Sequence, residues 1–123
     1  LGEGGSGGAL GIGVTDEIWM FENAIYSILS PEGFASILYK DASKAKMAAR
    51  VMRLTAEDLY AFKIVDKIIP EYNGGLHNEH EKSFSELKKG LISEFNELAK
   101  VDSNLLIKKR YKKYRDIGIY EET

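Results

Sequence analysis

The spacing of hydrophobic residues separates a helical last third from a mixed first part of the chain. In the last third, hydrophobic side chains recur every three or four positions, which predicts one amphipathic helix over about 79–100. The hydrophobic positions of this helix are Phe84, Leu87, Leu91, Phe95 and Leu98. A second helix is predicted to start at a cap formed by Asp102 or Ser103 and to end near Arg115.

Short hydrophobic runs in the first part predict strands. Residues 17–22 and 24–29 are predicted to form two strands, and 64–70 a third one that Pro70 closes. A single bent strand over the first two runs is the alternative, since only Asn23 separates them. We expect four hydrophobic residues of this part to lie in the core: Ile18, Met20, Ile25 and Leu29.

Capping residues indicate three helices between these strands. Serine can cap a helix and proline suits its first position, so Ser30-Pro31 predicts one helix start. Asp41 is expected to cap the next helix, over about 42–54. Thr55 and Asp58 have the spacing of a capping box, and they predict a third, short helix.

The first thirteen residues show neither the hydrophobic spacing of a helix nor the hydrophobic run of a strand, and seven of them are glycine. The run continues without a break into the apolar segment 9–14, so we interpret it as a turn leading into a short helix packed against other backbone. Consecutive glycine N–H groups at the start of a helix favour a negatively charged ligand. Because such a loop normally follows a strand, we expect Leu1 to end a strand and the chain to be a fragment of a longer domain.

Composition narrows the class of protein. The 123 residues, 44% of them hydrophobic, can form one small domain with a modest core. The formal charge of −2 gives no argument for nucleic acid as a ligand. The chain has no cysteine, which excludes disulfides and thiolate metal sites, and its two histidines leave little room for another metal site. No apolar run approaches the roughly 20 residues of a membrane span, and no secretory signal precedes the glycines, so we expect a cytoplasmic protein.

The glycine run also fits two other short motifs. Residues 2–7 match the glycine spacing of a dinucleotide-binding fingerprint, although no βαβ unit can be recognised around them. Gly4–Gly8 matches a nucleophile elbow centred on Ser6, and Asp66 and His77 follow in the order of an α/β-hydrolase triad. A serine hydrolase that uses Ser6, Asp66 and His77 is therefore an alternative function.

A third alternative assigns no chemistry to the glycines. They would be a flexible linker in a non-catalytic helical adaptor, and the basic stretch 108–115 would be the binding face. The same stretch can equally be a solvated helix surface that pairs with nearby glutamates. The sequence does not decide between these two roles of the basic stretch.

Groups of residues in a fixed order point to a known family. They are Gly2-Glu3-Gly4-Gly5-Ser6-Gly7-Gly8-Ala9-Leu10, Ser30-Pro31-Glu32-Gly33, Asp66-x-Ile68-Ile69-Pro70-Glu71, Gly74-Gly75-x-His77, and Arg110-Tyr111 with Tyr114-Arg115. In this order and spacing the chain resembles the α subunit of bacterial acetyl-CoA carboxylase carboxyltransferase over essentially all 123 residues. The resemblance is to the C-terminal part of that subunit.

The resemblance implies an α/β protein with the crotonase-like (ClpP/crotonase) fold, in which ββα units stack into a superhelix. Only the C-terminal half of that fold is expected, over 1–75, followed by a helical C-terminal extension over 76–123. The implied reaction moves the carboxyl group of carboxybiotin to acetyl-CoA and yields malonyl-CoA for fatty-acid synthesis. A fragment of this kind is expected to be inactive alone.

The family also implies partners. The biotin is attached to a biotin carrier protein and not to this chain, and biotin carboxylase belongs to the same ATP-dependent complex. A β subunit carries a zinc ribbon and completes the active site, in an expected α2β2 hetero-oligomer, and this chain would hold no metal.

The resemblance assigns the catalytic role to backbone groups. The Gly7 and Gly8 amides would form an oxyanion hole for the ureido oxygen of biotin, while the β subunit would serve the acetyl-CoA enolate. Gly4 and Gly5 would shape the turn in front of them. Backbone N–H groups suit this task because they stabilise developing negative charge without an ionisable side chain.

Overall fold

The computed structural model describes residues 2–118. The expectation for Leu1, and the last residues of the predicted extension, lie outside this range. The elements in chain order are β1 (Glu3–Gly5), α1 (Ser6–Gly13), β2 (Trp19–Phe21), β3 (Ile25–Ser27), α2 (Pro31–Tyr39), a 3-10 turn (Ala42–Lys44), α3 (Ala45–Met52), α4 (Ala56–Ala61), β4 (Lys67–Ile69), α5 (His80–Leu98) and α6 (Ser103–Arg115).

The strands form two parallel pairs that interleave along the chain. β1 pairs with β3, with Gly4 opposite Tyr26, and β2 pairs with β4, with Met20 opposite Ile68. Parallel strands need a crossover between them, and here each crossover contains a helix. The predicted α/β class is therefore confirmed, whereas the stacking of ββα units into a superhelix stays a prediction.

The core lies around the β2–β4 pair. Its fully or nearly buried hydrophobic members are Met20, Phe21, Ala24, Ala56, Leu59, Val65 and Ile69. Leu87 of α5 packs against this cluster, and the more exposed ring of Phe84 meets that of Phe21 edge-on at 6.3 Å between centroids. Met20 is buried as predicted, while Ile18, Ile25 and Leu29 are only half-buried.

The predicted helix starts are confirmed by their capping hydrogen bonds. The Ser30 hydroxyl accepts from the third residue of its helix, and the Thr55 hydroxyl accepts from Asp58. Asp102 accepts from two N–H groups in the first turn of α6. Asp41 also caps, but the element that it starts is the 3-10 turn, and α3 begins behind it at Ala45.

The short helix after the glycines is present, but its predicted packing is wrong. α1 contains no buried residue, and Leu10, Ile12 and Val14 are 55%, 81% and 52% exposed. The expected burial against other backbone does not occur within residues 2–118: Tyr26 contacts α1 at Ala9 and Tyr114 contacts it at Gly13, but no residue of the helix is buried. Of the helices in this range, none is long and apolar enough to span a membrane.

Candidate functional site: the start of helix α1

The glycine run forms a direct strand-to-helix junction. Gly4 and Gly5 lie in β1, where pairing with β3 holds them extended, and Gly5 has φ −141° and ψ 158°. They therefore do not form the turn that was expected of them. The left-handed backbone conformations are at Gly2 (φ 63°) and at Ser6 (φ 60°), where α1 begins. A non-glycine residue in this region is strained, which is common at functional sites.

Gly7 and Gly8 lie in the first turn of α1. The N–H groups of a first turn have no acceptor inside their own helix. No side chain caps α1, and within residues 2–118 no acceptor outside the helix is found for the Gly7 and Gly8 amides. Both residues are exposed, and a Cβ built on either would meet nothing within 4 Å. The two amides are thus open to a ligand.

The electrostatics of this junction favour an anion. The N-terminal end of a helix carries a partial positive charge from the aligned peptide dipoles. The first turn of α1 contains no acidic residue, whereas those of α2, α4 and α5 contain Glu32, Glu57 with Asp58, and Glu81. The first turn of α1 therefore holds neither a carboxylate nor a side-chain cap that would compete with an external anion.

Tyr26 of β3 lies against α1. Its ring would be 3.2 Å from a Cβ at Gly4, and its hydroxyl donates to the Ala9 carbonyl oxygen at 3.4 Å. The hydroxyl also lies 2.9 Å from the position of a Cβ at Gly13. Burial, and then the nearby Tyr114, raise the pKa of Tyr26 above its usual value. Tyr26 therefore stays a neutral hydrogen-bond donor near neutral pH.

A cavity of about 510 Å³ lies between α1 and strands β1 to β3. Its lining includes Gly4, Ile12, Trp19 and Tyr26 and is mostly apolar, but it includes neither Gly7 nor Gly8. The cavity thus borders the start of α1 through Gly5 and Ala9 but is not lined by the two open amides. We base the candidate site on the amides because they have the polar chemistry that an oxyanion needs.

The proposed hydrolase triad is not assembled. The Asp66 carboxylate accepts from the Ile18 N–H at 2.7 Å and pairs with the ammonium of Lys113. No hydrogen bond within the described range 2–118 joins any two of Ser6, Asp66 and His77. Ser6 does lie on a strained strand-to-helix turn, but a nucleophile needs an adjacent base to be activated.

The other two interpretations of the glycines also lack structural context. In a dinucleotide-binding fingerprint the glycines follow the strand, whereas here Gly2 precedes β1 and Gly4 lies within it. A flexible linker would not be paired in a sheet, and β1 is hydrogen-bonded to β3. For metals, no group of three histidine, cysteine or acidic side chains that could hold an ion is found in the part of the chain that the structure describes.

The basic stretch 108–115 makes contacts that the sequence did not indicate. Arg110 binds the Asp16 carboxylate through two nitrogens, at 2.9 and 2.7 Å. Lys113 bonds the Asp16 carbonyl oxygen at 3.1 Å, and Tyr114 bonds the Gly13 carbonyl oxygen. One part of this stretch is therefore an internal contact surface. The partners are 94 to 101 residues apart in sequence, a distance at which no local pattern exists.

A parallel strand leads directly into an uncapped, glycine-rich helix, and the first-turn amides of such a junction suit an anionic oxygen. The comparisons with known proteins identify the family of the chain. The family model described as acetyl co-enzyme A carboxylase carboxyltransferase-like matches residues 1–118. The chain belongs to this family.

Curated relatives carry the same family name. The acetyl-coenzyme A carboxylase carboxyl transferase subunit alpha of Clostridium botulinum is 52% identical over 121 residues, which are 98% of this chain and 44% of the relative. The subunit alpha of Clostridium acetobutylicum is 50% identical over 122 residues, which are 99% of this chain and 44% of that relative. The protein of Clostridium tetani named acetyl-coenzyme A carboxylase carboxyl transferase subunits beta/alpha is 50% identical over 121 residues. These are 98% of this chain and 21% of that relative.

The chain thus spans less than half the length of these relatives. The matched percentages of the relatives' length do not support the expectation that this chain corresponds to their C-terminal part. They do show that the resemblance extends over nearly the whole of this chain, including both the glycine run and α6.

Proposed function

We propose that this chain is part of a carboxyl transferase α subunit that moves the carboxyl group of carboxybiotin to acetyl-CoA and so forms malonyl-CoA. This reaction is the committed step of fatty-acid synthesis, and its proposed location is the cytoplasm. Biotin supplies the transferable carboxyl group and is attached to a carrier protein. The family membership of residues 1–118 supports the proposal, and the open amides of α1 give it a site.

The Gly7 and Gly8 N–H groups are proposed to bind the ureido oxygen of biotin. Negative charge grows on this oxygen when the carboxyl group leaves, and fixed N–H donors stabilise such charge most in the transition state. The observation that carries the proposal is the uncapped, exposed first turn of α1, with both amides free of acceptors among residues 2–118. The helix dipole adds to the effect of the two donors.

The second developing charge, on the thioester oxygen of acetyl-CoA, is proposed to be stabilised by a β subunit that bears a zinc ribbon. The relative from Clostridium tetani, named subunits beta/alpha, supports a partnership of this kind. An α2β2 assembly, the biotin carrier protein and biotin carboxylase complete the proposed complex. Leu10 and Ile12, both exposed on α1, are apolar residues that further protein could cover in it.

The crotonase-like superhelix is proposed for the complete domain, with residues 1–75 in the domain and 76–123 as a helical extension. The interleaved order of the two parallel strand pairs supports this proposal, because each pair encloses a strand of the other. Parallel pairs are also normally part of larger, fully covered sheets.

The experiment is to replace Gly8 by valine in the full-length α subunit, assembled with its β subunit. A Cβ at Gly8 meets nothing within 4 Å, so the chain can fold, but the branched side chain would obstruct the first-turn amides. Malonyl-CoA formation from carboxybiotin should fall by about 100- to 1000-fold, the usual effect of losing an oxyanion-hole donor. Assembly, measured by size-exclusion chromatography, should be unchanged.

Gly11 provides the matched control. It lies one turn further along α1, and a Cβ there also meets nothing within 4 Å. Gly11→Val should therefore retain most of the activity. A Gly8→Val enzyme with wild-type activity would overturn the assignment of the amides.

A further inference from the structure

Helix α1 is too weak to be stable by itself. Four of its eight residues are glycine, no side chain caps it, and none of its residues is buried. Each internal glycine costs roughly 0.5–1 kcal/mol relative to alanine, and isolated helices below about 12–15 residues are marginal even without glycine. Contacts with the surrounding chain must therefore determine where α1 lies.

The C-terminal end of α1 is held by a residue from the far end of the chain. The Tyr114 hydroxyl donates to the carbonyl oxygen of Gly13, the last residue of α1, and accepts from the Thr15 N–H at 3.1 Å. The last carbonyl groups of a helix have no partner within it. The Gly13 carbonyl oxygen also accepts from the Thr15 N–H at 2.9 Å, so Tyr114 adds a long-range hydrogen bond to a local turn at this end of α1.

Two basic residues on the same face of α6 fix the segment that follows. The Arg110 guanidinium makes a forked contact with the Asp16 carboxylate, at 2.9 and 2.7 Å. The Lys113 ammonium bonds the Asp16 carbonyl oxygen at 3.1 Å and pairs with the Asp66 carboxylate, and its side chain is only 16% exposed. Spacings of three and four residues put all three α6 residues on one side of the helix. We call Arg110, Lys113 and Tyr114 the α6 clamp.

Tyr26 supports the same end of α1 from the sheet side. Its hydroxyl lies 2.9 Å from the position of a Cβ at Gly13. The end of α1 is therefore enclosed by Tyr26 from β3 and Tyr114 from α6. At the opposite end, the pairing of β1 with β3 holds the chain, and the Tyr26 hydroxyl donates to the Ala9 carbonyl oxygen at 3.4 Å.

We propose that the α6 clamp positions the Gly7 and Gly8 amides by fixing the direction of α1. This inference rests on the proposed function of those amides. With a rise of about 1.5 Å per residue, Gly7 lies about 9 Å from Gly13, so a tilt of about 6° at Gly13 moves Gly7 by about 1 Å. A displacement of about 1 Å at a reacting group can cost on the order of 100-fold in rate.

The test is Tyr114→Phe in the full-length α subunit assembled with its β subunit. The substitution removes only the hydroxyl and keeps the packed ring. We expect kcat for malonyl-CoA formation to fall about tenfold while KM for acetyl-CoA stays the same, because the amides serve the biotin side. Hydrogen exchange of the backbone amides over 5–13 should increase at least about fivefold, without loss of the assembled complex.

Tyr111→Phe is the matched control because Tyr111 lies on the same helix and is 70% exposed. It should change neither kcat nor the hydrogen exchange over 5–13. Arg110→Lys keeps the positive charge but loses the two-nitrogen contact with the Asp16 carboxylate. Its kcat and its hydrogen exchange over 5–13 should therefore lie between those of the wild-type enzyme and those of Arg110→Ala.

The two proposals fail in distinguishable ways. An active Gly8→Val enzyme overturns the role of the amides. A Tyr114→Phe enzyme with wild-type kcat overturns the positioning role, whatever happens to hydrogen exchange. A lower kcat with unchanged exchange over 5–13 also overturns it, because the clamp would then act by another route than α1.

Discussion

Helices α1 and α4 are both short, with eight and six residues, and both follow an extended N-cap residue. The Thr55 hydroxyl caps α4 by accepting from the Asp58 N–H, and Ala56 and Leu59 bury one face of this helix in the core. α1 has neither a side-chain cap nor a buried residue. The first turn of α4 is therefore occupied, and that of α1 is open.

The difference separates a structural helix from a candidate site. A side-chain cap and a buried face both contribute stability, and the cap also occupies a first-turn donor. Leaving those donors free lowers the stability of α1, and the α6 clamp supplies holding contacts at the opposite end. Sites that are kept open for a ligand commonly show this exchange of stability for function.

The largest expected effect comes from truncating a leucine in each helix. Leu59 is 7% exposed on α4, whereas Leu10 is 55% exposed on α1. Leu59→Ala should lower the free energy of unfolding by about 2–5 kcal/mol, and Leu10→Ala by less than about 0.5 kcal/mol. Chemical denaturation of the full-length subunit measures both. Equal losses would mean that another part of the protein buries α1 as deeply as the core buries α4.

Glycine-to-alanine substitutions extend the comparison to α5. A Cβ at Gly90 would lie 3.0 Å from the Trp19 ring, which is held by a hydrogen bond to Glu17 and by Lys67 over its face. Gly90→Ala should therefore destabilise the subunit by about 1 kcal/mol through overpacking.

Gly11→Ala on α1 is the counterpart, because a Cβ there meets nothing within 4 Å. It should stabilise the subunit by about 0.5–1 kcal/mol through the higher helix propensity of alanine. Thermal denaturation should therefore give shifts of opposite sign for the two variants. A shift of the same sign in both would contradict the view that glycine serves close packing in α5 and not in α1.

Local signals made the capped part of the fold predictable. Ser30, Thr55 and Asp102 each accept from an N–H group within three residues, so a sequence pattern can reveal them. The predicted long helix over 79–100 likewise appears as α5, His80–Leu98, because its hydrophobic period is long and regular. The predicted strands are shorter in the structure, since only three residues of each are paired.

The surroundings of the candidate site were less predictable. The position of Gly7 and Gly8 at the start of a helix followed from the sequence, but the strand at Gly4 and Gly5 did not. Glycine is unfavourable in strands, and only pairing with β3 holds these two residues extended. The contact between Tyr114 and Gly13 spans 101 residues, and it depends on how α6 packs rather than on any local period.

The smallest expected effect is the acid sensitivity of the capped end of α4. The hydrogen bond from Arg53, followed by that with Thr55, lowers the pKa of Asp58 below its usual value. The ionised carboxylate therefore stabilises the folded state at pH values above about 3.9, the usual pKa of aspartate. This contribution is lost as the pH falls through the lower pKa of the folded state.

Asp58→Asn should accordingly lower the Tm slightly at pH 7, by an amount that shrinks as the pH falls below about 4. Thermal denaturation of the wild-type and variant subunits between about pH 7 and pH 3 measures this difference. Glu57→Gln is the control, because Glu57 is an exposed neighbour in the same turn, and its Tm difference should be smaller at every pH. A Tm difference for Asp58→Asn that stays constant with pH would mean that the Asp58 charge does not stabilise this turn. The contrast with α1 would then rest on the Thr55 hydroxyl and on burial alone.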